Sequence, residues 1–125
     1  MHERYRQNSP TEISNKFFAT YKKEGAEKAV DYLFATNKFS ADSKKDIDII
    51  KDKFKEYGSS FGDYSDYELV STKMAGKDLE LLTFIVKHDR LPLVFKLLFY
   101  KFDKEWRIQN FTFNTDLDNT LTEVN

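Results

Sequence analysis

Residues 79–113, LELLTFIVKHDRLPLVFKLLFYKFDKEWRIQNFTF, decide the fold of this chain. The stretch contains three apolar runs, at residues 79–88, 93–101 and 106–113, that are rich in the β-branched and aromatic residues that favour strands. Two short polar segments, HDRLP and FDKE, separate the runs and are typical of turns. We therefore predict three consecutive antiparallel strands.

The sequence before this stretch predicts one further strand and three helices. Tyr64–Ala75 is rich in Tyr, Val, Thr and Ser and is predicted as the first strand, with a two-residue hairpin turn at Gly76-Lys77. Ser9, Pro10 and Glu12 form a capping box that starts the first helix. The predicted helices run from Ser9 to Gly25, from Ala26 to about Asn37, and from Ser40 or Ser43 to Gly58.

The order of these elements predicts an α+β fold, because helices and strands are segregated along the chain. We expect three N-terminal helices packed on one face of a curved four-stranded antiparallel sheet. A single domain is expected to span residues 1–125. Its polar ends, residues 1–8 and 115–125, are expected to be flexible.

Composition excludes several classes of function. The 125 residues carry a formal net charge of −1, so no clustered positive field favours a nucleic-acid partner. The chain has no cysteine for a thiol nucleophile or metal ligand, and we predict no metal site and no cofactor. No run reaches the roughly 18 apolar residues of a membrane span. The sequence leaves two locations open, the cytoplasm, or an exported location if an upstream signal peptide has been removed.

Side chains alternate along a strand, so the predicted sheet has two different faces. One face is almost wholly apolar and is expected to lie under the helices. The other face is mixed, and the apolar residues on it that are expected to form an interface are Ile85, Leu98, Tyr100, Phe111 and Phe113. An exposed apolar surface of this kind predicts a homodimer packed through the sheet. Alternatively, the acidic C-terminal tail covers this face as a lid, and the other apolar residues are scattered over the surface.

The predicted turns also define a register for the four strands. The expected pairs are Lys73 with Glu80, Glu80 with Lys101, Asp66 with Lys87, and Lys101 with Trp106. Glu80 would then lie between two lysines, an arrangement that is favourable on adjacent strands.

In this register the core face becomes polar at one end. His88 would lie there with Ser65 and Asn114 beside it, and Tyr67, Thr112 and Asn110 one or two rows further inward. Polar side chains at the open end of a helix-covered sheet predict a ligand pocket formed by Tyr67, His88, Asn110 and Thr112. The alternative is that these residues contact water at the edge of the sheet or are satisfied within the core.

His88 is the only candidate for catalysis, because an imidazole titrates near neutral pH and acts as a general base. Asp89 follows it directly, but neighbouring strand residues point to opposite faces, so Asp89 is not expected to orient the ring. The sequence therefore assigns no catalytic set.

Three segments of the last strands resemble a known superfamily. They are Pro92-Leu93-Val94-Phe95, Leu98-Phe99-Tyr100-Lys101 and Trp106-Arg107-Ile108-Gln109-Asn110-Phe111. Together with the helical start, they are similar to small bacterial domains of the nuclear transport factor two-like (cystatin-like α+β) superfamily. The resemblance implies a conical pocket between helices and sheet, and dimerisation through the sheet. The acid–base residues of the enzymes in that superfamily have no clear match here.

These observations predict a non-catalytic domain that binds a small apolar or mixed ligand, or a protein partner, in a helix–sheet pocket. One alternative is a lyase or isomerase of the ketosteroid-isomerase or dehydratase type, which uses His88 with Tyr67 or Asn110. A second alternative is a purely structural dimerisation module, in which Phe and Leu side chains fill the core completely.

Overall fold

The computed structural model describes residues 9–124, so the flexible segment predicted at residues 1–8 lies outside the described residues. In chain order the elements are α1 (Pro10–Glu24), α2 (Ala26–Ala35), a 3-10 turn (Ser40–Ser43), α3 (Lys44–Phe61), β1 (Tyr64–Ala75), β2 (Leu79–His88), β3 (Pro92–Phe102), β4 (Glu105–Asn114) and α4 (Leu117–Val124). The strands form one antiparallel sheet in the order β1-β2-β3-β4, which confirms the predicted α+β class.

The start and the end of α1 are as predicted. The Ser9 hydroxyl accepts a hydrogen bond from the Glu12 N–H at 3.1 Å, and the Glu12 carboxylate accepts one from the Ser9 N–H at 3.2 Å.

The predicted end of α3 at Gly58 is wrong, because the helix continues to Phe61. A glycine inside a helix costs only about 0.5–1 kcal/mol. Burial of Phe61, which is 7% exposed, offsets that cost.

A fourth helix follows the sheet, so the prediction of three helices that all precede it is wrong. Residues 115–125 were expected to be a flexible tail, but α4 forms within them and lies on the sheet face opposite α1–α3. The Glu123 carboxylate contacts Lys96 Nζ at 2.6 Å, and Thr120 is buried. Val94 is fully buried on this outer face, which is where α4 contacts β3. A lid formed by the tail, the alternative considered from the sequence, therefore covers part of the face.

Two of the four predicted strand pairs are confirmed, Asp66 with Lys87 and Lys101 with Trp106. The two pairs that involve Glu80 are wrong. The β1–β2 loop contains residues 76–78, one residue more than predicted, so Met74 lies opposite Glu80. The pairing between β2 and β3 is displaced by two residues, and Phe99 lies opposite Glu80 on that side.

An irregularity in β4 reverses the predicted faces of its second half. Ile108 pairs with Phe99, whereas Asn110 pairs with the adjacent Leu98, so Gln109 is the extra residue of a β-bulge. Beyond the bulge, Phe111 and Phe113 lie on the core face. Asn110 and Thr112 lie on the outer face, which is the opposite of the arrangement expected from simple alternation.

The core between α1–α3 and the sheet is filled mainly by phenylalanine. Phe95 is fully buried at its centre. The rings whose centroids lie 5.4–6.1 Å from that of Phe95 belong to Phe17, Phe18, Tyr21, Phe54, Phe111 and Phe113. Most of these pairs are edge-to-face or tilted, the geometry that aromatic quadrupoles favour.

The β3–β4 turn provides a test of backbone strain. Asp103 and Lys104 have φ angles of 53° and 74°, in the left-handed region. Lys104→Gly is expected to raise the free energy of unfolding by about 0.5–1 kcal/mol, because the strain relieved exceeds the entropy that glycine loses on folding. Urea denaturation measures the change. Lys77→Gly, in the β1–β2 loop where the lysine φ is not positive, is the matched control and should give no gain. Equal gains in both variants would contradict this interpretation.

Candidate ligand-binding site

A cavity of about 350 Å³ opens where the end of α1, the start of α2 and the end of α3 meet strands β1 and β2. The aromatic side chains in its lining are Tyr21, Phe54, Phe61, Tyr64 and His88. Two carboxylate residues, Glu24 and Glu27, also line it. Helix termini thus surround an aromatic wall at the His88 end of the sheet, where the sequence predicted a pocket.

The wall contains a hydrogen-bonded pair of polar side chains. Tyr21 Oη lies 3.0 Å from His88 Nε2. Tyr21 belongs to the apolar stripe of α1 and is 8% exposed, and His88 is the half-buried last residue of β2. A buried phenol and a half-buried imidazole each need a hydrogen-bond partner, and here each provides the partner of the other.

Burial keeps these groups uncharged. Desolvation raises the pKa of Tyr21 far above its ordinary value, with Tyr64 as a smaller cause. Burial, followed by the charge of Asp66, raises the pKa of Tyr64 to about 12. Burial also lowers the pKa of His88, although the Val86 backbone and the Asp89 carboxylate act in the opposite direction. At neutral pH a neutral phenol and a neutral imidazole therefore share this hydrogen bond, and the imidazole tautomer decides which of them donates.

The loop after His88 is joined to the loop before β1. The Asp89 N–H donates to the Asp63 carbonyl at 2.9 Å, and the Asp63 N–H donates to Asp89 Oδ1 at 2.9 Å. The Arg90 N–H donates to the Phe61 carbonyl at 3.2 Å. The Asp89 carboxylate is therefore engaged by backbone, as expected for a residue that does not orient His88. These bonds hold His88 at the wall of the cavity.

Of the four predicted pocket residues, only His88 lines this cavity. Tyr67 lies on the core face, but its ring stacks on Phe18 with a centroid distance of 4.0 Å, and its hydroxyl donates to Asn15. Asn110 and Thr112 are exposed on the outer face because of the bulge in β4.

Sequence reasoning missed Tyr21 and Tyr64. Tyr21 falls in the helical spacing of Ile13, Phe17 and Tyr21, which indicates an apolar stripe, although a buried tyrosine hydroxyl itself indicates a polar partner nearby. Ser65 and Tyr67 were expected on the core face, which by alternation puts Tyr64 on the outer face, but a register shift at the start of β1 pairs Tyr64 with His88. A visible signal was the uneven spacing of Tyr64, Tyr67 and Leu69, which does not fit strict alternation.

The predicted dimer face is also divided by the bulge. Ile85, Leu98 and Tyr100 are half-buried on the outer face, whereas Phe111 and Phe113 belong to the core face. Of the five residues predicted for the dimer face, these three outer residues are therefore the ones that share the outer face of the sheet.

Residues 9–124 contain no group of three or more His, Asp or Glu side chains arranged to hold a metal ion. In the same part of the chain, no helix combines the length and the apolar character needed to cross a membrane.

No protein-family model, curated protein or solved structure matches this chain.

Proposed function

We propose that this chain is a binding domain that holds a small molecule of mixed apolar and polar character in the cavity beside Tyr21 and His88. The observation that supports the proposal is the 3.0 Å hydrogen bond between Tyr21 and His88 in the wall of an open cavity of about 350 Å³. Apolar pockets with a few placed polar groups are the usual form of small-molecule sites. The aromatic rings would contact the body of the ligand, and the Tyr21 oxygen would accept a hydrogen bond from its polar group.

Membership of the nuclear transport factor two-like superfamily is part of the same proposal. Its support is the order of three helices followed by a four-stranded antiparallel sheet, together with the resemblance at the last two strands. The helix α4 after the sheet is a departure from the expected arrangement.

Proton transfer is the second candidate function, because Tyr21 provides a titratable group within hydrogen-bond reach of His88. A lyase or isomerase would use neutral His88 as the base. If so, His88→Gln should leave binding of the ligand intact and abolish its turnover. For a binding domain, the wild-type protein should bind the ligand and return it unchanged.

A fragment screen followed by protein NMR tests the site. Bound fragments are expected to shift the amide signals of Gly25, Gly62 and His88, which line the cavity. Tyr21→Phe should weaken binding because it removes the acceptor oxygen. Tyr32→Phe is the control, since Tyr32 lines a separate depression of about 520 Å³ with Trp106. Fragments that shift only the signals around Tyr32 and Trp106 would contradict the proposed site.

The pH dependence of stability tests the environment of His88. Burial lowers its pKa from the ordinary value of 6.5, so the unfolded chain binds more protons as the pH falls below that value. Stability is therefore expected to decrease as the pH is lowered from about 7.5 to 5.5. Urea denaturation of wild type and His88→Gln measures the effect. The decrease should be smaller in the variant, and identical profiles would contradict the assigned environment.

The homodimer is also a proposal, through the outer-face residues Ile85, Leu98 and Tyr100. Light scattering at high protein concentration should give twice the chain mass of 14.8 kDa. A monomeric mass under those conditions would rule out the dimer.

A further inference from the structure

The aromatic lining of the cavity forms a nearly closed circuit of rings. The centroid distances along it are 6.2 Å from Tyr21 to Phe54, 6.4 Å from Phe54 to Phe61, 5.7 Å from Phe61 to His88, and 5.9 Å from His88 back to Tyr21. Tyr64 adds a fifth ring, 5.1 Å from Tyr21 and 5.9 Å from His88. Tyr64 and His88 are the half-buried members of this group, so theirs are the rings most open to a ligand.

The ionised groups that line the same cavity are all acidic. Glu24 is exposed at the end of α1, and Glu27 lies in the first turn of α2. Glu27 is paired with Lys55, whose Nζ lies 3.5 Å from its carboxylate and whose side chain is outside the lining. The described lining itself contains no lysine or arginine, so no cationic side chain of the lining opposes Glu24.

Other aromatic groups of this protein already have a cation over the ring. Lys16 Nζ lies 5.1 Å from the Tyr32 centroid, and Lys101 Nζ lies 5.3 Å from that of Trp106. Phe39 has both Lys38 and Arg107 within 5.3 Å. The five rings of the cavity have no such partner among residues 9–124. The rings of the larger depression at Tyr32 and Trp106 thus already have a cation in place, whereas the rings of the cavity at His88 do not.

We infer that the ligand of this cavity is an organic ammonium cation, whose alkylated nitrogen contacts the aromatic rings and whose charge is balanced by Glu24 and Glu27. Aromatic groups with nearby carboxylates recognise alkylated ammonium ions through cation–π attraction. The inference rests on the proposed binding function and names the chemical class of the ligand.

Choline and 3,3-dimethylbutan-1-ol test the inference, because they have the same shape and differ in charge. Titrations of the full chain are followed by two-dimensional NMR at pH 7.5. We expect choline to bind roughly tenfold more tightly than the alcohol. Added salt should weaken the binding of choline and leave that of the alcohol unchanged.

Two substitutions separate the contributions of charge and ring. Glu24→Gln should weaken choline binding several-fold without affecting the alcohol, and Glu56→Gln, an exposed carboxylate outside the lining, is its control. Tyr64→Leu should weaken binding of the cation, with the exposed Tyr57→Leu as control. Because Glu24 is exposed, its variant is expected to fold even if the Tyr64 variant does not.

The pKa of His88 provides an independent measurement. The groups that face its ring are Tyr21, Phe61 and Tyr64, and the nearby charges are Asp89, Glu24 and Glu27. A bound cation disfavours protonation of His88, so choline should lower the pKa of His88 further. The alcohol carries no charge and should not have this effect.

The outcomes distinguish this inference from the proposed function. Tighter binding of choline at the cavity, weakened by Glu24→Gln, would support both. Equal affinities for choline and the alcohol would overturn the ammonium inference and leave the binding site standing. Binding of neutral fragments at the cavity without any binding of choline would also overturn the ammonium inference and leave the binding site standing. If no molecule of any class shifts the cavity signals, both the inference and the proposed function fail.

Discussion

Phe95→Ala is expected to lower the free energy of unfolding by about 3–5 kcal/mol, the largest effect of any substitution considered for this protein. Phe95 is fully buried and contacts rings from α1, α3 and β4. Removing it leaves a cavity where rings from three elements meet. These rings lie at different angles, so they cannot close the gap together without losing contacts elsewhere.

Denaturation with urea measures this loss, and Phe102→Ala is the matched control. Phe102 lies on the same strand but is 58% exposed, and the Arg107 guanidinium lies 5.6 Å from its ring. The control is expected to cost less than about 1 kcal/mol. Similar losses in the two variants would show that the phenylalanine core is not organised around Phe95.

Gly62→Ala is expected to lower the free energy of unfolding by about 2–5 kcal/mol, for two separate reasons. Gly62 has φ 84° and ψ −172°, a backbone region that is accessible almost only to glycine. A Cβ atom there would also overlap Asp89 Oδ1 and lie 2.7 Å from the Arg90 backbone nitrogen. The substitution would therefore push away the loop that holds His88 at the cavity.

Gly25→Ala separates the two causes. Gly25 has nearly the same conformation, with φ 98° and ψ 171°, but a Cβ atom would meet nothing within 4 Å. Its substitution should cost only the backbone strain, about 1–3 kcal/mol. The difference between the two variants, read from urea denaturation, measures the collision with the β2–β3 loop. If Gly62→Ala cost no more than Gly25→Ala, the loop would be free to move, and His88 would not be held as described.

The local elements were predictable because their signals are local. The Ser9 capping box, the stop at Gly25 and the bounds of β1 depend on a few neighbouring residues, and each is confirmed. The polar end of the core face was expected to form a pocket, and of the four residues named for it only His88 lines the cavity there. Turn lengths were less predictable, and a one-residue error at Gly76 was enough to change the β1 partner of Glu80.

The faces of β4 were wrong because one extra residue reverses every later side chain. Apolar residues at Trp106 and Ile108 are followed by apolar residues at Phe111 and Phe113, an uneven spacing that itself indicates a bulge. Strict alternation ignored that signal. It therefore placed Asn110 and Thr112 in the pocket and two core phenylalanines at the dimer face.

By itself, the sequence determined the α+β class, the four strands and the place of His88 at the end of the second strand, because apolar periodicity and capping act over short distances. Only the tertiary structure decided which side chains meet. Tyr21 and His88 are 67 residues apart and pair because α1 packs across the end of β2. The acidic tail forms α4 against the outer sheet face, where Thr120 is buried and Glu123 pairs with Lys96. Such contacts depend on packing between distant elements, which local patterns do not encode.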